Sequence, residues 1–447
     1  MLAKLHSKIG DLWWYSAIIF VACRSGDVIQ AFIGLWLVPK YVGQEQLGAV
    51  LPLQQLCGLF AVPLAILATV FAKYVNVYMT RGEIGKVKSF IHDILIASAI
   101  LFIVCIAFAW IVAPHFYSRL NVASGSLTIL ILAAGFTGNI SQLFNSALQG
   151  MKKFKTTFVV TVISAPIRLA TLLVAMPFRA LSGYILGQAT PPASSSVVAA
   201  YSIHHELANV KPDTSWRRDI PEILRYFWPI AVCNAFGAVF ASVIATVYRQ
   251  RLPEIESAAY YLISRFAEIA SYVGASMMFV LVPLAAEAHE KGKEDITFLR
   301  HSILGTVAAT LALAVLFALV GKSIFALAET WTAYHPYVHL LPWMTLIVGS
   351  SVIQCSVINY EIACRRFGAA FFGLGSSFVV TASAVSLTGY NFYQGILPDN
   401  FIQCMATCNL LSLDRLTWFI FATSILQSVV MLLIAFKHRH SAPKQDL

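Results

Sequence analysis

Residues 301–328 read HSILGTVAATLALAVLFALVGKSIFALA, a run in which Lys322 is the only Lys, Arg, Asp or Glu. A helix needs about 20 mostly apolar residues to cross the hydrocarbon core of a membrane, which is about 30 Å thick. The whole chain of 447 residues has the same character, since 58% of its residues are apolar and 12% are Asp, Glu, Lys or Arg. A soluble domain carries about twice that charged fraction. The sequence therefore predicts an all-α integral membrane protein.

Apolar runs of this kind recur along the chain when it is read with a window of about 19 residues. We predict twelve transmembrane helices, near residues 12–39, 47–79, 91–113, 126–150, 155–178, 180–203, 223–248, 256–285, 301–328, 334–363, 368–394 and 415–436. The sixth run is the weakest, because Pro191 and Pro192 stand in its middle, where proline removes backbone donors and bends a helix. The first run is too long for a signal peptide, so we expect it to remain as a helix.

The basic residues are divided unequally between the two sides of the predicted membrane. Of the 31 Lys and Arg residues, 20 fall in loops on the side of the two termini, seven fall on the opposite side and four lie inside spans. Because Lys and Arg are retained in cytoplasmic loops, we predict a multi-pass protein with both termini in the cytoplasm.

The two halves of the sequence share landmarks at a nearly constant offset. The matches are Trp14 with Trp228, Gly82 with Gly292, and 152–154 with 365–367. Each half has six predicted spans, an even number, so both halves enter the membrane from the same side as parallel repeats. We predict an N-terminal lobe at 1–208, a cytoplasmic linker at 209–222 and a C-terminal lobe at 223–447. Such repeats place a substrate site at mid-depth between them.

Several ionisable residues fall well inside the predicted spans, away from the helix ends. They are Arg24, Asp27, Lys73, Arg168, Arg265 and Glu268. A charge at the bilayer centre costs at least about 2.5 kcal/mol, so such groups usually face a wet cavity. Arg24 and Asp27 are three residues apart, so they share a helix face and can neutralise each other. The same holds for Arg265 and Glu268, whereas the span of Arg168 contains no Asp or Glu.

Two interpretations of these residues remain open. In the first, the two pairs are internal ion pairs that hold helices together. In the second, a surplus of guanidinium groups lines a cavity and binds an anion, above all a phosphate, because the planar fork donates two parallel hydrogen bonds. We take Arg24, Arg265, Arg168 and Lys73 as candidate substrate-binding residues. Asp27 and Glu268 are candidates for cation coupling or ion pairing.

Other functional classes are disfavoured by the sequence. The net charge of +10 is spread over short clusters between apolar runs, which is not the pattern of a nucleic-acid-binding face. The chain has no C-x-x-C pair, no P-loop and no HExxH or GxSxG motif. We therefore expect no catalytic residues, no cofactor and no metal, and we predict a transporter and not an enzyme.

Three connecting segments resemble those of bacterial polysaccharide-biosynthesis exporters. They are YVGQEQLGAV at 41–50, NSALQGMKKFKTT at 145–157 and VLVPLAAEAHEKGK at 280–293. Together with twelve spans in two halves, the resemblance covers most of the chain and weakens around 395–414. It points to the multidrug, oligosaccharidyl-lipid and polysaccharide (MOP) exporter superfamily and, within it, to O-antigen-type flippases.

The resemblance implies that two six-helix lobes form a V-shaped central cavity and alternate access to the two sides of the membrane. The implied substrate is an undecaprenyl-pyrophosphate-linked oligosaccharide, carried from the cytoplasmic to the outer leaflet of the bacterial inner (cytoplasmic) membrane for O-antigen and lipopolysaccharide synthesis. Membrane lipids and a glycan polymerase are candidate partners. In related lipid II flippases, arginines on the first and eighth helices bind the pyrophosphate, and Arg24 and Arg265 occupy those helices here. Asp27 matches the position of an acidic residue that couples protons in multidrug members.

Two alternatives to the flippase remain. A multidrug or cation exporter of the same fold would have a cavity richer in acid than in base. A membrane enzyme of glycan assembly would carry polar catalytic residues in a large outside loop, and the longest such loop here, about 395–414, contains no histidine. Lipid II flippases usually have two further helices, which disfavours that identity.

Overall fold

A computed structural model describes residues 26–120, 125–151, 153–225, 227–228, 231, 242–243, 245–246, 248–249, 252–272, 297–364, 368–387 and 412–440. The regular structure within these ranges is entirely helical, which confirms the predicted all-α class. Most of the seventh predicted span lies outside them, as do the start of the first span and all but the last three residues of the predicted loop at 395–414. The motif at 280–293 also falls outside.

The first half of the chain forms six helices within the described residues. Helix α1 occupies 26–41, with a π-helical section at Ile33–Leu37. The others are α2 (Gln44–Thr80), α3 (Ile84–Leu120), α4 (Gly125–Gly150), α5 (Phe154–Ala175) and α6 (Ala180–Leu207). Each overlaps one of the first six predicted spans.

The described part of the second half forms α7 (Glu254–Ala267), α8 (Thr297–Phe325), α9 (Leu341–Ala363), α10 (Gly368–Leu387) and α11 (Leu413–His440). Within the described residues, six stretches are long and apolar enough to cross a membrane. They are Ile84–Val104, Leu127–Gly150, Lys155–Ala175, Leu299–Phe325, His335–Glu361 and Leu413–Ala435. The full count of twelve stays a prediction.

Helix α8 shows how these helices divide their surface between lipid and protein. Its outward face carries Leu304, Leu311, Val315 and Leu319, all about half exposed or more. They recur at intervals of seven, four and four residues, which places them on one side of a helix. In a membrane protein an exposed apolar stripe of this kind is the lipid-facing surface, because the hydrocarbon solvates it without cost.

Helix α6 continues through both of its prolines. Pro191 and Pro192 lie inside the unbroken helix Ala180–Leu207, so the weakest predicted span is a helix of 28 residues. Serine hydroxyls follow directly: Ser194 Oγ donates to Pro191 O at 2.9 Å and Ser196 Oγ donates to Pro192 O at 2.7 Å. These bonds tie the serine side chains to the backbone of the same helix, beside the two prolines.

The chain divides into two compact units. The first comprises Met1–Val42 and Ala49–Ser242, and the second comprises Gly43–Gly48 and Val243–Leu447. The lobe and linker boundaries that the sequence predicts, 1–208, 209–222 and 223–447, stay a prediction.

The polar segment 208–222, here called the docked segment, lies against α3 of the first unit. The Nζ of Lys88 donates to the carbonyl oxygen of Val210 at 2.9 Å, and the N–H of Asp213 donates to Gly85 O at 3.0 Å. The ring centroids of Trp216 and Phe90 are 4.8 Å apart, and both side chains are buried. A segment that the sequence marks only as polar is therefore packed and hydrogen-bonded over much of its length.

A capping carboxylate orders the turn within the docked segment. Asp213 precedes the 3-10 helix Thr214–Asp219, and Ser215 donates to it from its backbone N–H and from its Oγ, both at 2.9 Å. These two hydrogen bonds favour the carboxylate, so they hold the pKa of Asp213 below its usual value. The cap is therefore present at neutral pH and weakens as the carboxyl is protonated in acid.

Gly85→Ala is expected to release the docked segment. A Cβ at Gly85 would lie 2.7 Å from the carbonyl oxygen of Lys211, and a backbone atom cannot move aside as a side-chain tip can. Overpacking costs about 1–3 kcal/mol, so we expect limited trypsin digestion after Arg217 and Arg218 to accelerate about tenfold. Gly58→Ala is the matched control, because a Cβ there meets nothing within 4 Å. Equal cleavage rates in the two variants would show that this contact does not hold the segment.

Candidate substrate-binding site

The six charged residues selected from the sequence are divided between the two units. Asp27 lies on α1, Lys73 on α2 and Arg168 on α5, all in the first unit. In the second unit, Arg265 lies on α7 and Glu268 directly follows that helix. Arg24 lies outside the described residues, and for Lys73 the structure describes the backbone alone. Their roles in substrate binding or cation coupling stay predictions.

Arg168 belongs to a polar layer that joins three helices of the first unit. It lies about 21 Å along α5 from Phe154, within the apolar stretch Lys155–Ala175. Its Cζ is 5.9 Å from the ring centroid of Tyr184 on α6. The hydroxyl of Tyr184 donates to Gln54 Oε1 on α2 at 2.9 Å. This hydrogen bond fixes the ring, and the ring in turn supports the guanidinium through its negative face.

Asp27 lies close to the same layer. A Cβ placed on Gly26 would be 3.8 Å from the Cβ of Ala165, so α1 and α5 are neighbours at this depth. Ala165 precedes Arg168 by less than one helical turn. Asp27 is half-buried, and its Oδ2 is fully buried. The first unit therefore holds an acid and a base at similar depth on adjacent helices.

Arg265 and Glu268 form an ion pair in the second unit. Nη1 of Arg265 donates to both carboxylate oxygens of Glu268, at 3.0 and 2.8 Å, and its Cζ lies 5.1 Å from the ring centroid of Tyr261. The side chain of Arg265 is 6% exposed and that of Glu268 is 35% exposed. The pairing that the i, i+3 spacing allows is therefore formed. Any anion that binds Arg265 has to do so beside this carboxylate.

A polar cavity in the first unit was missed by the sequence reasoning. It has a volume of about 570 Å³ and lies between α2, α4 and α6. Its lining consists of Ala72, Gly138, Ser141, Gln142, Asn145, Ser146, Gln149 and Pro192, and none of the six charged candidates is among them. The volume falls within the range of about 300–1,000 Å³ that is usual for small-molecule sites. We refer to it below as the α4 cavity.

One signal in the sequence would have found this cavity. Gly138, Gln142, Asn145 and Gln149 are spaced by four, three and four residues, which places them on one face of a helix. A continuous polar face on an otherwise apolar membrane helix turns away from lipid, because its polar groups need partners. Charged residues alone do not reveal this face, because its amide and hydroxyl side chains are uncharged. In the described part of the chain, no group of three His, Cys, Asp or Glu residues is placed to hold a metal ion.

Comparison with protein families gives a match over more than half of the chain. Residues 16–289 match a family model described as polysaccharide biosynthesis protein. Comparison with curated protein sequences gives no match.

Solved structures of transporters resemble the fold over nearly the whole chain. One is the inward-facing conformation of a multidrug resistance MATE family transporter of the MOP superfamily, with a TM-score of 0.68, 15% identity and coverage of 96% of this chain and 100% of that one. A second is a MOP superfamily transporter from Pyrococcus furiosus, whose binding pocket is described as reversed in polarity. Its TM-score is 0.66, at 14% identity and 98% coverage of both chains.

A third is the lipid II flippase MurJ in an inward closed conformation, with a TM-score of 0.59, 13% identity and coverage of 96% of this chain and 94% of that one. At such identities the likeness establishes the fold alone. That fold is the all-helical architecture of MOP superfamily transporters, as the resemblance of the sequence implied.

Proposed function

The chain belongs to the polysaccharide biosynthesis protein family, and from this premise we propose that it is a flippase for undecaprenyl-pyrophosphate-linked oligosaccharide. It moves this lipid from the cytoplasmic to the outer leaflet of the bacterial inner membrane by alternating access, in the synthesis of O-antigen or a similar surface glycan. The observation that carries the proposal is the family match across 16–289. The shared fold with a lipid II flippase supports the lipid-linked class of substrate. A glycan polymerase is the partner that would consume the product.

The physical task explains why such a protein is needed. A sugar hydroxyl without a hydrogen-bond partner costs a few kcal/mol in hydrocarbon, so the glycan needs a polar path while the prenyl tail stays in lipid. The pyrophosphate needs cations at membrane depth, and Arg24, Arg265, Arg168 and Lys73 are the residues that we propose to supply them. Arginine suits this role because its planar fork donates two parallel hydrogen bonds to phosphate.

The membrane potential provides a driving force for the proposed direction. A pyrophosphate diester carries about two negative charges, and each gains about 2.3 kcal/mol on outward movement across 100 mV, negative inside. The total is about 5 kcal/mol. At equilibrium this energy would hold the lipid in the outer leaflet at more than a thousandfold its concentration in the inner leaflet. Asp27 and Glu268 are the proposed sites if protons or other cations contribute as well.

Transport in proteoliposomes tests the proposal. We expect purified protein to expose a fluorescent undecaprenyl-pyrophosphate-linked oligosaccharide to a reagent outside the vesicle, at a rate that increases when a potassium diffusion potential makes the interior negative. Protein-free vesicles are the control. If the lipid does not move but a cationic dye is exported, the protein is a multidrug exporter, and if the glycan is elongated or cleaved, it is an enzyme. Either result overturns the proposal.

A further inference from the structure

The α4 cavity is lined by groups that are polar but uncharged. Its five polar side chains are Ser141, Gln142, Asn145, Ser146 and Gln149. Each hydroxyl and amide both donates and accepts hydrogen bonds, as sugar hydroxyls do. Among the lining residues that the structure describes, none is Asp, Glu, Lys or Arg. The lining therefore suits a neutral, hydroxyl-rich ligand better than a pyrophosphate or a cationic drug.

One lining residue has an unused hydrogen-bonding group. The Nδ2 of Asn145 donates to Ser141 Oγ at 3.4 Å, whereas its Oδ1 is buried and accepts no hydrogen bond from the residues that the structure describes. Buried polar atoms are nearly always hydrogen-bonded, so an exception calls for an explanation such as a ligand or water. Ser141 is in turn held by Ser195 on α6, with 2.6 Å between the two Oγ atoms. The cavity wall is therefore anchored through Ser141, and among the described residues no donor reaches the buried Oδ1 of Asn145.

The position of the cavity fits a substrate that enters from the cytoplasm. Its lining on α4 runs from Gly138 to Gln149, about 17 Å along the helix, and Gln149 is exposed. Helix α4 ends at Gly150, directly before the basic residues Lys152, Lys153 and Lys155. The predicted orientation places these lysines on the cytoplasmic side. The cavity then occupies the half of the membrane in which a lipid-linked glycan is assembled.

We propose that the α4 cavity binds sugar residues of the lipid-linked substrate through hydrogen bonds to uncharged hydroxyl groups. This inference rests on the proposed function and adds to it a substrate class, a glycan without charged sugars at this point. Asn145 and Gln142 contact the sugar. The charged residues on other helices hold the pyrophosphate, so that the two parts of the substrate are recognised by different chemistry.

Binding of two matched probes tests this subsite. The probes are undecaprenyl pyrophosphate and the same lipid carrying a neutral trisaccharide, and the measured quantity is the Kd of purified protein in detergent. We expect the wild type to bind the glycosylated lipid about tenfold more tightly or better. Asn145→Leu and Gln142→Leu should each reduce the preference for the glycosylated lipid about two- to tenfold, which is the effect expected for the loss of one hydrogen bond. Both variants should leave the Kd for the sugar-free lipid unchanged.

The second leucine variant and a matched control secure the interpretation. Gln142 is exposed, so Gln142→Leu keeps the test valid if Asn145→Leu fails to fold. Thr137→Val on the same helix removes a hydroxyl that bonds to its own helix at Ala133 O and lies outside the lining, so we expect it to retain the full preference.

The outcomes separate the subsite from the function. A wild type that binds both lipids equally, or leucine variants that retain the preference, would overturn the subsite and leave the flippase standing. Leucine variants that weaken both probes alike would also overturn it. A wild type that binds neither lipid would overturn the proposed function and the subsite with it.

Discussion

Arg265→Ala is expected to abolish export of lipid-linked glycan. Two charge-assisted hydrogen bonds from a guanidinium to a phosphate contribute about 3–6 kcal/mol together, so their loss should lower the transport rate at least about 100-fold. A guanidinium has five N–H donors, so one arginine can hold the carboxylate of Glu268 and a phosphate at once. The measurement is the initial rate of glycan exposure in proteoliposomes. Arg24→Ala, on the first predicted helix, is expected to have the same effect.

The ion pair with Glu268 requires a control that separates folding from binding. Removal of Arg265 alone leaves the Glu268 carboxylate without its 2.8 Å contact. Breaking a fully buried ion pair in this way destabilises a protein by about 3–5 kcal/mol. The loss of stability here is smaller, because Glu268 is 35% exposed. The double variant Arg265→Met with Glu268→Gln removes both charges and is expected to unfold at nearly the wild-type temperature while remaining inactive. Transport by either variant would leave Arg265 with the structural role of an internal ion pair.

Gly183→Leu is expected to prevent the α5–α6 hairpin from packing. A Cβ at Gly183 would lie 2.7 Å from the backbone carbonyl carbon of Ala175 and 2.7 Å from the N of Met176. These are backbone atoms of the preceding helix end, so no rotamer change relieves the contact. Overpacking costs about 1–3 kcal/mol where side chains can adjust, and we expect about 3 kcal/mol or more here. That is a large part of the about 5–15 kcal/mol that holds a typical protein folded.

The measurement for Gly183→Leu is the yield of monodisperse protein on size exclusion, together with its thermal unfolding temperature. Gly375→Leu on α10 is the matched control, because a Cβ there meets nothing within 4 Å and the residue is exposed. We expect the control to behave as the wild type. If Gly183→Leu gives equal yield and stability, the close approach of the two helices does not limit folding.

The helices could be predicted from the sequence because membrane depth imposes their length. Predicted spans 126–150 and 155–178 correspond to α4 at Gly125–Gly150 and α5 at Phe154–Ala175. The prediction was less accurate for α3, which runs over Ile84–Leu120 against 91–113. A hydropathy window detects the apolar part of a helix, whereas backbone hydrogen bonding continues into the polar turns beyond it.

The candidate site was predicted only in part. The i, i+3 spacing identified the partner of Arg265, because a helix brings such residues together whatever surrounds it. The neighbourhood of Arg168 could not be found in this way. Tyr184 is 16 positions further along the chain and Gln54 is more than a hundred positions away, and only helix packing brings them together.

By itself, the sequence determined that the chain is a helical membrane protein, since apolar length responds to the bilayer alone, and the resemblance of its connecting segments implied the exporter family. Only the tertiary structure decided that 208–222 is docked on α3, that Tyr184 lies beside Arg168, and that the polar face of α4 closes a cavity with α2 and α6. The physical reason is that hydropathy is a property of each segment, whereas contact between segments depends on close approach at positions such as Gly85 and Gly183, where a missing side chain leaves room for a neighbouring backbone.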